Sequence, residues 1–285
     1  MADELKEGSG NPAAAPDEQR TSSVIVPFRR EGAKRPLFLI HGVDGDVNYF
    51  PTLVRYLEPD RPIYGIRAQS LQGERHALTR IEAMASYYLK EIRRVQPDGP
   101  CYFLGFSFGG FVAFEMAQQL HSRGQMPGMV AMLDTRTMGT NSQPIDKIVE
   151  QKRKRFVSHL RRLTSSQAGA HAAKVLRASF LRITYTLLDK LGKPIPRFLQ
   201  RPFDINWFAA VRYTPRPFPG RIILFETAET VSDVRSSRDV WNRLAGSVEI
   251  REVPGDHEEL LKEPNVQRLA WEITQCLARE DRCLD

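Results

Sequence analysis

Residues 101–120, CYFLGFSFGGFVAFEMAQQL, decide the fold. The first five are apolar and strand-sized, and the last ten have the composition of a buried helix. Between them lies GFSFG, in which Gly105 and Gly109 stand two positions before and two after Ser107. A sharp strand-to-helix turn strains the backbone of its central residue and is tolerated only where small flanking residues avoid a clash. The stretch therefore predicts a nucleophile elbow, with the Ser107 hydroxyl at the N-terminus of a helix.

Short apolar segments and helical patterns alternate along the rest of the chain. Strands are predicted at 24–28, 36–40, 62–66, 101–105, 129–133, 221–225 and 248–253. Helices are predicted at 81–92, 111–120 and 240–244. This alternation favours an α/β domain with a mostly parallel central sheet flanked by helices. A chain of 285 residues, of which 41% are hydrophobic, is long enough to bury the core of one such domain.

A basic segment interrupts this alternation. Between 142 and 201 there are 14 Lys or Arg residues and three acidic ones, so the segment carries +11 and the rest of the chain −4. Amphipathic helices are predicted over 145–163 and 176–191, and two helices inserted into a sheet domain indicate a lid. We therefore expect a disordered tail at 1–22, a core in two parts at 23–138 and 204–285, and a helical lid insertion at 139–203.

A serine hydroxyl becomes a strong nucleophile only beside a base that an acid orients. His257 is the candidate base, because it lies in the loop GDHEELL, which follows a predicted strand near the C-terminus. Two acids remain open at this point. Asp134 ends the strand MVAMLD, and Asp233 lies in the loop after RIILFE.

An oxyanion formed at the serine needs two amide donors. The candidates are the backbone amide of Phe108, directly after the nucleophile, and that of Val43 in the turn HGVDG after an early strand. His41 opens this turn, and we expect it to be structural.

Cysteine usage, hydropathy and charge indicate the cellular compartment of the protein and the classes of partner that it could bind. Three cysteines, an odd number without CxxC spacing, fit a reducing compartment better than a disulfide framework or a zinc site. No apolar run approaches the roughly 18–20 residues of a membrane-spanning helix, and the N-terminus lacks a secretory signal. Sparse aromatic interleaving in the basic segment disfavours nucleic acid. We expect a soluble cytoplasmic protein.

The sequence resembles the thioesterase domains that terminate nonribosomal peptide and polyketide synthases, over about residues 24–280. The resemblance is carried by PLFLIHGVDGDVNYF, YGIRA, IEAMASYYLKEIRRVQPDGPCYFLGFSFGGFVAFEMAQQL, MLDT and GDHEELLKEPNVQRLAWEI. It implies an α/β-hydrolase fold with a mobile helical lid between acid and base. It also implies that Asp134 is the acid, because the synthase-terminal domains place theirs after the strand that follows the nucleophile helix. Discrete editing thioesterases place it later, where Asp233 lies.

The reaction that the resemblance implies is transfer of an acyl, polyketide or peptidyl chain to Ser107 from a phosphopantetheine thioester, or from coenzyme A, and its release by hydrolysis or cyclisation. The expected partner is an acyl or peptidyl carrier protein, and no metal or redox cofactor is required. The basic residues of the lid would bind an acidic carrier protein or the phosphates of coenzyme A. They equally fit a helix face that is exposed to solvent and binds nothing. The candidate contacts are Lys152, Arg153, Lys154, Arg155, Arg161 and Arg162.

Two other functions fit the same residues. One is a carboxylesterase or lipase that acts on oxygen esters. The other is a non-catalytic carrier-binding protein that keeps the fold, which the intact set of serine, acid and histidine disfavours. Because the sequence begins with Met1, we expect either a free-standing enzyme or an excised domain.

Overall fold

The computed structural model describes residues 24–72, 77–135, 177, 180–227 and 237–284, and these contain one seven-stranded sheet. The strands are β1 (Ile25–Arg29), β2 (Leu37–Ile40), β3 (Ile63–Ile66), β4 (Tyr102–Phe106), β5 (Met129–Leu133), β6 (Phe218–Thr227) and β7 (Ala245–Val253). Their order in space is β1-β3-β2-β4-β5-β6-β7. The β1–β3 pair is antiparallel and the other neighbouring pairs are parallel. The mostly parallel sheet expected from the sequence is confirmed.

Helices cover both faces of this sheet. They are α1 (Phe50–Tyr56), α2 (Ile81–Val95), α3 (Phe108–His121), α4 (180–190), α5 (Pro202–Arg212), α6 (Ser237–Leu244) and α7 (Asn265–Leu284). Helix α4 falls within the second predicted lid helix, whereas the first, over 145–163, and the tail at 1–22 lie outside the described residues. The domain boundaries stay predictions. None of these helices combines the length and the apolar character needed to cross a bilayer.

Alternate side chains of each central strand enter different cores. Phe38 and Ile40 of β2 pack into a core that α2 and α3 close, while Leu37 and Leu39 pack into a second core that α1 and α7 close. Successive residues of a strand point to opposite faces. The continuous apolar sequence LFLI is therefore what a strand buried on both faces requires.

The chain adds strands to the sheet in opposite directions on the two sides of the β2–β4 pair. From β2 the chain crosses to β3 on one side, and after β4 it proceeds through β5, β6 and β7 on the other. In open α/β sheets the crevice at the carboxyl ends of two such strands is the usual place for a ligand. The loop after β2 and the turn after β4 meet at this crevice, and both contain predicted site residues.

A buried arginine, Arg61, connects α7 to the amino ends of the central strands. The side chain of Arg61 is 0% exposed, and its Nε donates to Glu58 at 2.8 Å and its Nη2 to Asp281 of α7 at 2.5 Å. Its Nη1 donates to the Arg35 carbonyl at 2.6 Å. The guanidinium also lies 5.2 Å from the centroid of the Tyr102 ring. Each charged nitrogen thus has a partner, which a buried cation requires.

We expect Arg61→Met to lower the free energy of unfolding by about 2–4 kcal/mol, because Glu58 and Asp281 lose their buried cation and keep only the more exposed Lys34. The matched control is Arg80→Met, since Arg80 and its partner Glu82 are 58% and 41% exposed. An exposed pair of this kind contributes at most about 1 kcal/mol. Urea denaturation followed by circular dichroism measures both variants. Equal losses in the two would contradict the structural role of Arg61.

Candidate active site

The turn between β4 and α3 has the strained backbone that a nucleophile elbow needs. Ser107 adopts φ 53° and ψ −113°, a conformation that side-chain-bearing residues rarely take. A Cβ atom at Gly105 would lie 2.2 Å from the Gly109 carbonyl oxygen. One at Gly109 would lie 2.5 Å from the carbonyl oxygen of His41. Both glycines are therefore required by close approach of backbone to backbone, as the sequence predicts.

The end of β5 holds the Ser107 backbone at both its amide and its carbonyl. Its amide donates to the Leu133 carbonyl at 2.8 Å, and its carbonyl accepts from Thr135 Oγ1 at 2.9 Å. Ser107 is partly exposed and immediately precedes α3. The amide groups at a helix N-terminus favour a developing negative charge. The hydroxyl is thus presented at a place suited to anionic chemistry.

The imidazole of His257 contacts one of the two candidate acids. Its Nδ1 forms a hydrogen bond with Oδ2 of Asp134, whose side chain is fully buried, while His257 itself is 37% exposed. Thr227, at the end of β6, donates from Oγ1 to the other oxygen of Asp134 at 3.1 Å. The second candidate acid, Asp233, lies outside the described residues. The carboxylate is therefore fixed from β6 with one oxygen directed at the histidine.

Phe106 brings the imidazole beside the elbow. Its ring stacks on the ring of His257 with centroids 5.1 Å apart and planes 21° apart, and Phe106 directly precedes Ser107. Tyr49 in turn packs against the edge of Phe106, at a centroid distance of 5.2 Å. Within the described residues Ser107 and His257 share no hydrogen bond. Bonds of this type commonly tighten only in the complex with substrate.

Hydrogen bonds to its backbone amides and carbonyls fix the loop after β2. The Gly42 amide donates to the Tyr49 hydroxyl. The Gly42 carbonyl accepts from His41 Nδ1 at 2.6 Å and from the Gly45 amide at 3.1 Å. The Val43 carbonyl accepts from Nδ2 of Asn206, on α5, at 3.0 Å. The loop that contains the candidate oxyanion donor Val43 is therefore ordered before any substrate binds.

His41 lies under this loop and is 0% exposed. Burial lowers its pKa to about 4, against a smaller opposite effect of its bond to the Gly42 carbonyl. The ring is therefore neutral at physiological pH. Its other nitrogen, Nε2, bonds to the hydroxyl of Tyr88 at 2.9 Å.

Sequence reasoning missed the partners that hold the predicted residues. Thr227, Thr135, Tyr88 and Asn206 lie 93, 28, 47 and 163 positions from the residues to which they bond. No local pattern marks such contacts. Thr227 and Thr135 do stand at the carboxyl ends of strands, which is the only signal that could have found them.

The six basic residues predicted to contact a carrier lie outside the described residues. They are Lys152, Arg153, Lys154, Arg155, Arg161 and Arg162. The described residues that follow them include α4 and α5, which expose apolar side chains such as Phe180, Ile183 and Trp207. Contact between the basic segment and a carrier protein therefore stays a prediction.

Known proteins match both the sequence and the fold. A family model described as "Thioesterase domain" matches residues 35–276. Malpibaldin synthetase of Mortierella alpina is 29% identical over 288 residues, which is 98% of this chain and 5% of that protein. The chain thus spans a small part of the length of this curated relative.

Two solved structures share the architecture. A four-domain nonribosomal peptide synthetase, holo-AB3403 bound to AMP and glycine, matches with a TM-score of 0.63 and 25% identity over 89% of this chain and 20% of that one. The NocB thioesterase domain, in a covalent complex with a fluorophosphonate nocardicin G analogue, matches with a TM-score of 0.63 and 22% identity over 89% of this chain and 99% of that one.

These matches confirm the resemblance stated from the sequence. The solved structures identify the mostly parallel sheet and its helices as an α/β-hydrolase fold. The family model extends from just before β2 into α7, so it includes the elbow, the loop after β2 and the His257 loop. The chain therefore belongs to the thioesterase domain family.

Proposed function

We propose that this chain is a serine thioesterase that takes an acyl or peptidyl chain from a phosphopantetheine thioester and releases it through an acyl-Ser107 intermediate. The observation that carries the proposal is the bond between His257 and the buried Asp134, next to the strained Ser107 turn. Membership of the thioesterase domain family supports the choice of a thioester as substrate.

In the first half of the reaction, His257 Nε2 takes the proton of Ser107 as Oγ attacks the thioester carbonyl. Asp134 accepts the hydrogen bond from Nδ1, which fixes the tautomer and stabilises the imidazolium. The tetrahedral intermediate then collapses, and the carbon–sulfur bond breaks. The thiol leaves with the proton that His257 returns, and the chain remains on Ser107 as an ester.

The oxyanion of this intermediate is stabilised by the backbone amides of Val43 and Phe108. Phe108 is the first residue of α3, so the helix dipole adds to its amide. Removing one such donor from a site of this kind typically lowers kcat by about 10²–10³-fold. Neither donor depends on the identity of its own side chain.

In the second half, water or a nucleophile within the bound chain attacks the ester, and His257 again acts as base. Water gives a free acid, and an internal hydroxyl or amine gives a ring. Neither half requires a metal ion or a redox cofactor, because the proton moves between side chains and the oxyanion is held by amides.

The proposed donor of the chain is an acyl or peptidyl carrier protein, with coenzyme A as the smaller alternative. The matching relatives are named as synthetases, which is consistent with a carrier-bound substrate. The described part of the basic segment includes Arg182, Lys190 and Lys193, which are exposed. Cations of this kind attract an acidic carrier and raise its association rate at low salt.

Intact-protein mass spectrometry of the wild type mixed with acyl-pantetheine thioesters is expected to detect a transient adduct, while a thiol reagent detects release of the thiol. Ser107→Ala is expected to form no adduct and to release no thiol above background, because it lacks the nucleophile. Ser122→Ala, at the far end of α3, is the matched control and should behave as the wild type. Turnover by Ser107→Ala would refute the proposal, and a marked preference for p-nitrophenyl esters would indicate an oxygen esterase instead.

Asp134→Asn is expected to reduce kcat by about 10³–10⁴-fold, because the amide holds the wrong histidine tautomer and cannot stabilise the imidazolium. Asp98→Asn, in the exposed turn before β4, is the control for loss of a carboxylate. Steady-state kinetics give kcat, and urea denaturation verifies that both variants are folded. If Asp134→Asn kept its activity while remaining folded, Asp134 would not be the orienting acid.

A further inference from the structure

The peptide group that joins Gly42 to Val43 has its carbonyl oxygen fixed in two ways. That oxygen accepts from His41 Nδ1 at 2.6 Å and from the Gly45 amide at 3.1 Å. In a planar trans peptide the carbonyl and the N–H point in opposite directions. The bond from His41 to the Gly42 carbonyl therefore also sets the direction of the Val43 N–H.

The donor and acceptor roles along this chain of contacts are determined by the Gly42 carbonyl, which can only accept. His41 Nδ1 lies 2.6 Å from that oxygen and must therefore carry a proton. A neutral imidazole has one N–H, so Nε2 is an acceptor. The Tyr88 hydroxyl, 2.9 Å from Nε2, donates its proton to it.

The same ring contacts the residue that provides the second amide. His41 stacks on Phe108 with centroids 5.7 Å apart and planes 20° apart. His41 and Tyr88 are 0% and 1% exposed, so neither is free to change partner with water. One buried ring thus contacts Phe108 and the peptide group that contains the Val43 amide.

We propose that His41, held by Tyr88 in the tautomer with its proton on Nδ1, is a positioning residue that aligns the Val43 amide with the reacting carbonyl. This inference rests on the proposed function, in which Val43 is an oxyanion donor. It assigns His41 a role in the reaction in addition to filling space under the loop.

The test compares variants that keep or remove the donor at the position of Nδ1. In His41→Asn, the side-chain Nδ2 takes the place of Nδ1, so kcat is expected to stay within about 5-fold of the wild type. In His41→Gln the donor moves toward the position of Nε2, and in Tyr88→Phe the ring loses the bond that selects its tautomer. Both are expected to lower kcat by about 10-fold or more. The effect is smaller than the roughly 10²–10³-fold loss caused by removing an oxyanion donor, because the Val43 amide is misaligned and not removed. KM is expected to change less than 3-fold.

Tyr102→Phe is the matched control for loss of a buried phenol. Tyr102 donates to Asp281 of α7 at 3.1 Å, at the end of β4 that is farther from Ser107. Urea denaturation should give comparable stability losses for Tyr88→Phe and Tyr102→Phe, while only the former lowers kcat. Phosphonylation of Ser107 by a fluorophosphonate, which also needs the oxyanion donors, should slow in parallel. The ¹⁵N chemical shifts of the wild-type His41 ring are expected to identify the tautomer protonated on Nδ1.

A wild-type tautomer protonated on Nε2 would overturn the inference. The inference would also be overturned if His41→Gln and Tyr88→Phe were folded and kept the kcat of the wild type, or if Tyr102→Phe lowered kcat as much as they do. His41 would then act by packing alone. An inactive wild type that neither turns over thioesters nor reacts with the fluorophosphonate would instead refute the proposed function, and the role of His41 with it. The two failures are thus distinguished by the wild type.

Discussion

The close contact between backbones at the Ser107 turn determines the geometry of the rest of the site. Because Gly105 and Gly109 have no Cβ, the start of α3 approaches both β4 and the end of β2. The Ile40 and His41 carbonyls reach the place where a Cβ of Gly109 would be, so the loop after β2 is drawn against the first turn of α3. One steric condition thus exposes the serine and brings the end of β2 and the loop after it against the turn that contains the serine.

The strain of this site is offset by polar contacts from neighbouring strands. Ser107 and Asp134 both have positive φ, 53° and 46°, and a residue in such a conformation costs about 1–3 kcal/mol. Each is restrained by a neighbour, since Thr135 donates to the Ser107 carbonyl and Thr227 to the Asp134 carboxylate. Parallel strands make this possible because their carboxyl ends meet at one edge.

The sequence was informative wherever a short pattern determines local structure. The alternation of apolar segments predicted the strands, and GFSFG predicted the elbow at Ser107. The pairing of β1 with β3 was not predictable from the intervening turn, because strand order depends on the whole sheet. The spacing named His257 but left two acids open, and the fold places Asp134 against it. The apolar period of α7, from Val266 to Ile273, was a readable helix signal that the prediction did not use.

The loop after β2 also depends on α5, a helix that begins at the predicted end of the lid. Asn206 lies on α5, is 0% exposed, and donates to the Val43 carbonyl at 3.0 Å. Loss of this bond would leave the buried side-chain amide of Asn206 without that partner, at a cost of about 1–3 kcal/mol. Helix α5 therefore cannot move away from the loop without a free-energy cost. Since α5 begins at Pro202, directly before the predicted end of the lid at 203, the predicted lid segment leads into a helix whose position the loop after β2 constrains.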